Sequence, residues 1–313
     1  MEWTQLLTGV FYTIVFPGFL FASTVGLLLT WVDRKVTAIV QSRVGPPWFQ
    51  PYADIGKLLA KKMFIPRGSQ AIGFLAAPLL AVAGSTLATV IILLALLHPG
   101  SDFVGDLIVL LYLMVLPSIA LVIGGASSRS PFGAIGAGRE LSMILSYELT
   151  FLLSIFTVLI KVHSVRLSDI VAYQAAHGAI LGSVSGFIAF VVAMYSLIAK
   201  LGYLPFDIAE ADTELIGGPL AEYSGSGLAL FKLSRAMMFF CLPVLMVILF
   251  LGATTPTALS IAGFLLKLLA VLVLIIVVKI THARLKLDQA LRLFWGNLLL
   301  VAIAGVILAL VGW

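Results

Sequence analysis

Two groups of acidic residues in this chain combine side-chain types and surroundings that could do chemistry. The first is the stretch PFDIAEADTELIGGPLAEY, residues 205–223, which contains no Lys or Arg. It holds five of the fourteen acidic residues of the chain: Asp207, Glu210, Asp212, Glu214 and Glu222. The second is Glu148, in the apolar run LSMILSYELTFLLSIF. Crowded or desolvated carboxyl groups can bind protons near neutral pH, so both are candidates for a proton relay.

Glu148 is the only acid in the middle of a long apolar segment. A charged side chain in hydrocarbon is costly and marks a functional site by default. The alternative is a structural acid that is protonated or hydrogen-bonded to a neighbouring helix. Arg139 and Glu140 begin the same segment. Arg139 lies two and a half helical turns before Glu148, so we expect no direct pair between them, and anchoring at the interface is the alternative role of Arg139 and Glu140.

The spacing of the acids in the acidic stretch would bring like charges together in a helix. Asp207, Glu210 and Glu214 are three and four residues apart, so a helix would place them on one face, where like charges repel. Apolar residues between them are not typical of a free linker: Phe206, Ile208, Leu215, Ile216 and Leu220. We therefore predict a packed segment whose carboxyl groups share protons. A solvated acidic loop that docks a basic partner is the alternative, and both roles can coexist.

The elements that position these residues are predicted to be membrane helices. The chain has 313 residues, of which 61% are hydrophobic and 11% are charged, against about 25% charged in soluble domains. Apolar runs near the ~20 residues that span a bilayer recur throughout. They lie at about 9–31, 71–97, 106–124, 142–161, 180–203, 235–252, 258–280 and 290–312. The sequence thus predicts an all-α, polytopic membrane protein, with residues 1–313 forming a single transmembrane domain.

The loops between these spans carry the charge. Cytoplasmic loops are predicted at about 32–70, 125–141, 204–234 and 281–289. Sixteen of the nineteen Lys and Arg residues lie in or beside them, whereas only Lys161 and Arg166 lie on the opposite side. This bias predicts that both termini face outward and that the acidic stretch faces the cytoplasm in a multi-pass protein of the plasma membrane. Within the first loop, Tyr52 to Met63 is predicted to form a short amphipathic helix on the membrane surface.

Several classes of site are excluded by the composition. The single cysteine, Cys241, excludes an internal disulfide and a four-thiolate metal or iron–sulfur site. The four histidines are scattered, and GAIGAG at 133–138 does not match a dinucleotide fingerprint. Basic patches with interleaved aromatics, which would indicate nucleic-acid binding, are absent. We therefore predict no catalytic redox centre, cofactor or metal in this chain; such groups would belong to partner subunits.

Four segments together resemble subunit 1 of respiratory complex I and its homologues in membrane-bound, energy-converting nickel–iron hydrogenases. They are DRKVTAIVQSRVGP…QPYADIGKLLAKK (33–62), GRELSMILSYE (138–148), PFDIAEADTELIGGPLAEYSGSGLALF (205–231) and RLKLDQALRLFW (284–295). They occur in the order of the family and cover nearly the whole chain. The resemblance implies a subunit that joins antiporter-like membrane subunits to a peripheral arm carrying iron–sulfur clusters and, in hydrogenases, a nickel–iron site.

The resemblance also implies roles for particular residues. The path for protons is implied to use Glu148, Asp207, Glu210, Asp212, Glu214 and Glu222, and we add Glu140 as a further candidate of this chain's own. The interface with the peripheral arm, or the chamber beneath it, is implied to use Asp33, Arg34, Lys35, Arg43, Asp54, Arg139 and Asp288.

Departures from the family pattern favour a branch that does not use quinone. Quinone-type subunits usually read Ala-Glu-Thr-Asn-Arg before the PFD motif, where this chain has Lys200 and Tyr203 at the acidic and basic positions. Further departures are Asp33 for Glu, Pro47 for Asn, Met143 for Gln and the extra acid Glu140. We therefore predict a non-catalytic subunit of a ferredoxin-linked hydrogenase or a related sulfur-reducing complex that couples electron transfer to proton or sodium movement.

Three other functions remain open from the sequence. The first is a quinone-chamber subunit of an NADH or ferredoxin–quinone oxidoreductase. The second is a stand-alone ion transporter, against which the lack of an internal repeat counts. The third is a purely structural anchor, in which every acid could be neutralised without loss of coupling.

Overall fold

A computed structural model describes the backbone of residues 2–98, 104–252 and 258–312, and their side chains except at 2–6, 212–213 and 258–260. Within these ranges all regular structure is helical, which confirms the predicted all-α class. The helices are α1 (Glu2–Ile14), α2 (Phe19–Val40), α3 (Gln50–Ala60), α4 (Ala71–Leu97), α5 (Asp106–Ser127), α6 (Pro131–Val162), α7 (Leu167–His177), α8 (Val184–Lys200), α9 (Asp212–Leu215), α10 (Gly225–Met246), α11 (Ala258–Thr281), α12 (Leu287–Arg292) and α13 (Leu299–Val311).

Seven helical segments in the described part of the chain are long and apolar enough to cross a membrane. They are Leu7–Val40, Ala71–Leu97, Asp106–Ser127, Pro131–Val162, Gly225–Leu251, Ile261–Thr281 and Leu287–Val311. The remaining predicted span, 180–203, contains α8, an apolar helix of 17 residues. The polytopic architecture expected from the sequence is therefore confirmed.

Three of these helices continue into stretches that the sequence assigns to loops. Helix α2 runs on to Val40, whereas α6 begins at Pro131 and α10 at Gly225. Polar residues in these turns do not end a helix, because long Lys and Arg side chains can extend along it towards water. The extensions place Arg34, Arg139 and Lys232 on helices.

Helix α3 is the amphipathic surface helix predicted over Tyr52 to Met63. It is fixed to α2, because the Tyr52 hydroxyl donates a hydrogen bond to the Thr24 carbonyl oxygen at 2.7 Å. Tyr52 and Ile55 pack against a buried cluster formed by α2 and α10, which comprises Ala22, Leu27, Leu233, Ala236 and Met237. Helix α3 therefore buries one face against the protein and exposes Lys57 on the other.

The chain divides into two compact units, each assembled from three segments. Unit 1 comprises Met1–Leu93, Leu110–Leu141 and Ala209–Cys241, and unit 2 comprises Leu94–Val109, Ser142–Ile208 and Leu242–Trp313. Helices α4, α5, α6 and α10 each contribute residues to both units.

Unit 2 is fastened by polar contacts at its helix ends. Asp106, which is buried, accepts hydrogen bonds from the backbone N–H groups of Leu107 (2.7 Å) and Leu167 (3.2 Å), and so holds the starts of α5 and α7. Helix α10 continues as a π-helical turn, Val247–Leu251. The Gln174 amide donates to the Ile248 carbonyl oxygen of that turn at 2.6 Å, and the Lys267 ammonium donates to Leu251 at 2.8 Å.

Candidate functional site

Glu148 has a cationic partner, which sequence reasoning did not identify. The ammonium of Lys200, at the last residue of α8, donates to Glu148 Oε1 on α6. The Lys200 side chain is 1% exposed and that of Glu148 is 16% exposed. The two side chains form an ion pair that cancels formal charge inside the helical bundle of unit 2, so Glu148 is not the isolated acid that its apolar surroundings indicated.

Aromatic and hydroxyl groups surround this pair. The Lys200 ammonium lies 5.1 Å from the centroid of the Phe151 ring and 5.9 Å from that of Tyr147, within the range of cation–π attraction. Two residues after Glu148 on the same helix, Thr150 shares a buried hydrogen bond of 2.9 Å with Ser196 of α8. Helices α6 and α8 are therefore joined by two adjacent polar contacts.

A π-helical turn brings Trp295 to the same part of α6. The turn, Leu293–Leu298, lies between α12 and α13, and the Trp295 indole N–H donates to the Ser146 hydroxyl at 3.1 Å. Because a π-turn inserts an extra residue into the helix, it changes the direction in which side chains project. Trp295 belongs to the segment resembling the family motif at 284–295.

The segment after α8 is held by residues from the end of α11 and from the loop between α11 and α12. The Arg284 guanidinium donates to Asp207 Oδ2 at 2.7 Å, and the Leu285 N–H donates to the Pro205 carbonyl oxygen at 3.0 Å. The Lys279 ammonium lies 4.9 Å from the centroid of the Tyr203 ring. Asp207 is therefore a paired carboxylate in unit 2.

The remaining acids of the stretch belong to unit 1, and two of them also face arginines. Glu210 pairs with Arg235 of α10, and Glu214 Oε2 lies 2.6 Å from Arg139 Nη1 of α6. Glu222 is exposed, and the side chain of Asp212 lies outside the described residues. Arginines therefore offset the repulsion that the spacing of the acids implies.

The acidic stretch does not form the single helix that would stack its carboxylates. Only Asp212–Leu215 is α-helical, so Asp207 and Glu210 precede the helix and each reaches a different arginine. Most of its apolar residues are buried, as a packed segment requires: Phe206, Ile208, Ala209, Ala211 and Leu215. Ile216 remains exposed.

Two glycines of the membrane helices allow this stretch to pack closely against them. A Cβ atom at Gly136 of α6 would lie 2.5 Å from Pro219 Cδ, and one at Gly125 of α5 would lie 2.9 Å from Pro219 Cβ. Any side chain here would displace the loop. The central glycine of GAIGAG thus permits the close packing of α6 against this stretch.

We expect Gly136→Ala to lower the midpoint temperature for thermal inactivation of the assembled complex. Forcing a methyl group into a packed contact costs about 1–3 kcal/mol, and the contact here involves the Pro219 backbone nitrogen as well as its ring. Gly138→Ala is the matched control on the same helix, since a Cβ there meets nothing within 4 Å. Equal midpoints for the two variants would contradict the packing argument.

Tyr223 closes the stretch on the side of α4. Its ring stacks on Phe74 with centroids 4.1 Å apart, and its hydroxyl donates to the Phe74 carbonyl oxygen at 2.9 Å. Burial raises the pKa of the Tyr223 hydroxyl far above its usual range, so it remains a neutral hydrogen-bond donor at physiological pH. Together with Phe231, Ala77 and Ala81 it forms a buried cluster.

The residues predicted to line the interface or chamber occupy different surroundings. Asp33 is buried in α2, whereas Arg34 is exposed and forms an ion pair of 3.0 Å with Asp54 of α3. Lys35 packs beside Gly45, and Arg43 is exposed. Arg34 and Arg43 are therefore accessible at the surface of the chain, whereas Asp33 is not.

Two further acids named from the sequence lie on other helices. Glu140 is half-buried on α6, and Asp288 is exposed in the first turn of α12. An acid in the first turn stabilises a helix N-terminus, which gives Asp288 a structural role besides the predicted one.

The lowered pKa of Asp54 predicts that the stability of the fold depends on pH. Desolvation raises its pKa, but hydrogen bonds from Arg34 and Gln50 and the charges of Arg34 and Lys57 outweigh it, so the pKa lies below its ordinary 3.8. A lowered pKa stabilises the fold above the ordinary value, and this stabilisation is lost as the pH falls through the folded-state pKa.

We therefore expect the difference in midpoint temperature for thermal inactivation between wild type and Asp54→Asn to be constant from about pH 5 to 8. It should start to fall below about pH 4 and be lost below the folded-state pKa. Because Asp54 is more than a third exposed, the difference corresponds to less than about 1 kcal/mol. A difference that grows as the pH falls would contradict the assigned sign.

Comparisons with known proteins bear on this arrangement. A protein-family model described as NADH dehydrogenase matches residues 13–310. The chain belongs to the NADH dehydrogenase subunit 1 family. A subunit of NADH-quinone oxidoreductase from Bacillus mycoides (strain KBAB4) is 31% identical over 297 residues, covering 91% of this chain and 87% of the relative. The corresponding subunit from Bacillus cytotoxicus matches with the same identity and coverage.

A solved structure extends the likeness to three dimensions. A chain of the membrane-bound sulfane sulfur reductase, an archaeal respiratory membrane complex, superposes with a TM-score of 0.85 at 29% identity, covering 93% of this chain and 96% of that one. Members of the family are thus membrane subunits of multi-subunit respiratory complexes, and this chain is a subunit of that kind.

Three basic residues of the ion pairs were not identified as site residues from the sequence. The ion pairs involve Lys200, Arg235 and Arg284, none of which was a predicted site residue. A signal existed, since Lys200 is a departure from the family pattern at the end of an apolar helix. Within the described residues, no group of three or more His, Cys, Asp or Glu side chains is arranged to hold a metal ion.

Proposed function

We propose that this chain is the membrane subunit that couples electron transfer in a peripheral arm to proton or sodium translocation in a ferredoxin-linked, complex I-like reductase or hydrogenase. Iron–sulfur clusters and the acceptor site, including any nickel–iron centre, belong to partner subunits. Antiporter-like membrane subunits receive the signal from this chain.

The Glu148–Lys200 pair carries the proposal. An ion pair within the apolar part of a helical bundle is stable only while both charges are present. Arrival of a proton at Glu148 neutralises the carboxylate and removes the ionic attraction to Lys200, which favours separation of α6 from α8. Protonation is thereby converted into a change of helix packing, and movement of a proton or sodium ion in partner subunits can follow.

The arginine-paired acids supply the link to electron transfer. Asp207, Glu210 and Glu214 each exchange one partner for another at small cost, because their side chains are partly exposed and surface pairs contribute about 0–1 kcal/mol. A change of charge on an adjacent redox subunit can therefore re-pair them. This is the proposed first response to reduction.

Lys200 and Tyr203 support a complex that does not reduce quinone. The quinone-type pattern has an acid and a base at these positions, whereas here Lys200 neutralises Glu148 and the Tyr203 ring lies beside Lys279. The likeness to the sulfane sulfur reductase agrees with this branch.

The alternative is the quinone-chamber subunit of an NADH- or ferredoxin–quinone oxidoreductase. It is favoured by the names of the two Bacillus relatives, which are subunits of NADH-quinone oxidoreductase.

Purified complex in sealed vesicles tests the function directly. Reduced ferredoxin is supplied as donor, with protons, polysulfide or a soluble quinone as acceptor, and the pH and sodium gradients are followed. We expect a gradient with protons or polysulfide but not with quinone, and its collapse by a protonophore or a sodium ionophore identifies the ion. Turnover with quinone alone would support the alternative, and turnover without any gradient would refute coupling.

A further inference from the structure

We propose that a cleft at the end of α6 binds an anionic phospholipid, with an acyl chain in the cleft and the headgroup phosphate at its basic rim. The cleft has a volume of about 430 Å³ and lies wholly within unit 2. It is at the end of α6 remote from Arg139, and none of the residues assigned above to coupling lines it. The proposal therefore stands apart from the proposed function.

The walls of the cleft suit an acyl chain. They are formed by Val104 and by Phe156, Leu159 and Ile160 of α6. Val104 is 71% exposed and Phe156 is 52% exposed, so the cleft opens to the surface of a helix that crosses the membrane. Burial of each methylene group against such walls is favourable by about 0.8 kcal/mol in water, but lipid already surrounds this face, so the walls alone provide shape and little selectivity.

Selectivity comes from the rim, which is basic. His163, Ser164 and Arg166 line the mouth, and Lys161 lies on the last turn of α6. Within the described residues, neither the Arg166 guanidinium nor the Lys161 ammonium makes a hydrogen bond or ion pair. Arg166 presents a planar fork of donors that matches a phosphate group.

Two acids near the rim, among the residues that the structure describes, already accept hydrogen bonds from the protein. Asp106 is buried and accepts hydrogen bonds from the backbone N–H groups of Leu107 and Leu167, and Asp169 accepts the Ser164 hydroxyl. They reduce the positive potential of the rim but, in the part of the chain that the structure describes, leave its two permanent cations without a carboxylate partner. On the side of the membrane where the loops are predicted to hold only Lys161 and Arg166, Arg166 lines this apolar cleft and Lys161 directly follows Ile160 of its wall in the chain. This charge complementarity points to an anionic lipid.

Native mass spectrometry of the full complex, stripped of loosely bound lipid, tests the site. The complex is incubated with phosphatidylglycerol, phosphatidylcholine or inorganic phosphate. We expect wild type to retain one phosphatidylglycerol that Arg166→Gln binds about five-fold more weakly, the effect of one basic charge near a phosphate surface. Lys62→Gln, which removes an exposed charge far along the chain, is the control and should leave retention unchanged.

A second variant tests the cleft independently of charge. Ile160→Trp fills it and should abolish retention while keeping both cations. Loss of retention in both Arg166→Gln and Ile160→Trp supports the site. Unchanged retention in either variant overturns it, because the lipid would then be held by general surface attraction or elsewhere. Equal retention of phosphatidylcholine, or displacement of the lipid by millimolar inorganic phosphate, overturns the anionic-lipid assignment.

Discussion

Glu148→Gln should reduce ion translocation by the assembled complex to the level of a protonophore-treated control. Glutamine has nearly the shape of glutamate but neither binds a proton nor carries a charge, so it cannot form or release the pair with Lys200. Electron transfer from donor to acceptor should continue, uncoupled from the gradient. The measurement is the pH or sodium gradient per electron transferred in sealed vesicles.

The control for this variant is Asp169→Asn, which neutralises an acid on α7 in the same unit. It should translocate at the wild-type ratio. Because Glu148→Gln leaves the buried Lys200 without its carboxylate, the double variant Glu148→Gln/Lys200→Gln is measured as well. Loss of translocation in both the single and the double variant assigns the effect to the carboxyl group. Wild-type translocation in an assembled Glu148→Gln complex would refute the role.

Lys200→Met should destabilise the complex far more than a single change to any of the more exposed ion pairs described above. Removal of one partner of a buried pair costs about 3–5 kcal/mol, since it leaves an uncompensated charge. Methionine retains much of the packing of the lysine chain against Phe151 and Tyr147, so lost packing contributes little. The measurement is the midpoint temperature for thermal inactivation of the purified complex.

A double-mutant cycle measures the interaction energy between Glu148 and Lys200, apart from the other contacts of each side chain. If Glu148 and Lys200 interact as the structure indicates, Glu148→Gln/Lys200→Met should be less destabilised than the sum of the two single variants, because neither charge remains. Arg34→Gln, which removes an exposed member of a surface pair, should cost at most about 1 kcal/mol. Additive effects of Glu148→Gln and Lys200→Met on the midpoint temperature would show that their contact contributes no coupling energy.

Local patterns in the sequence predicted where helices form better than where they end. The apolar runs predicted the membrane helices and the amphipathic surface helix α3, because hydrophobic length and periodicity act locally along the chain. They located helix ends poorly at Val40, Pro131 and Gly225, since polar residues can continue a helix into the interface. The family segments likewise lay in the primary sequence, in order and at recognisable spacing.

By itself, the sequence determined that this is an all-helical membrane subunit with one intramembrane glutamate and a crowded acidic stretch. Only the tertiary structure decided which basic residue forms an ion pair with each acid. Lys200 pairs with Glu148, Arg284 with Asp207, Arg235 with Glu210 and Arg139 with Glu214. These partners lie from 25 to 77 residues apart in the chain. The physical reason is that hydrophobicity is a property of each segment, whereas the charge state of a buried side chain depends on neighbours that folding alone brings within reach.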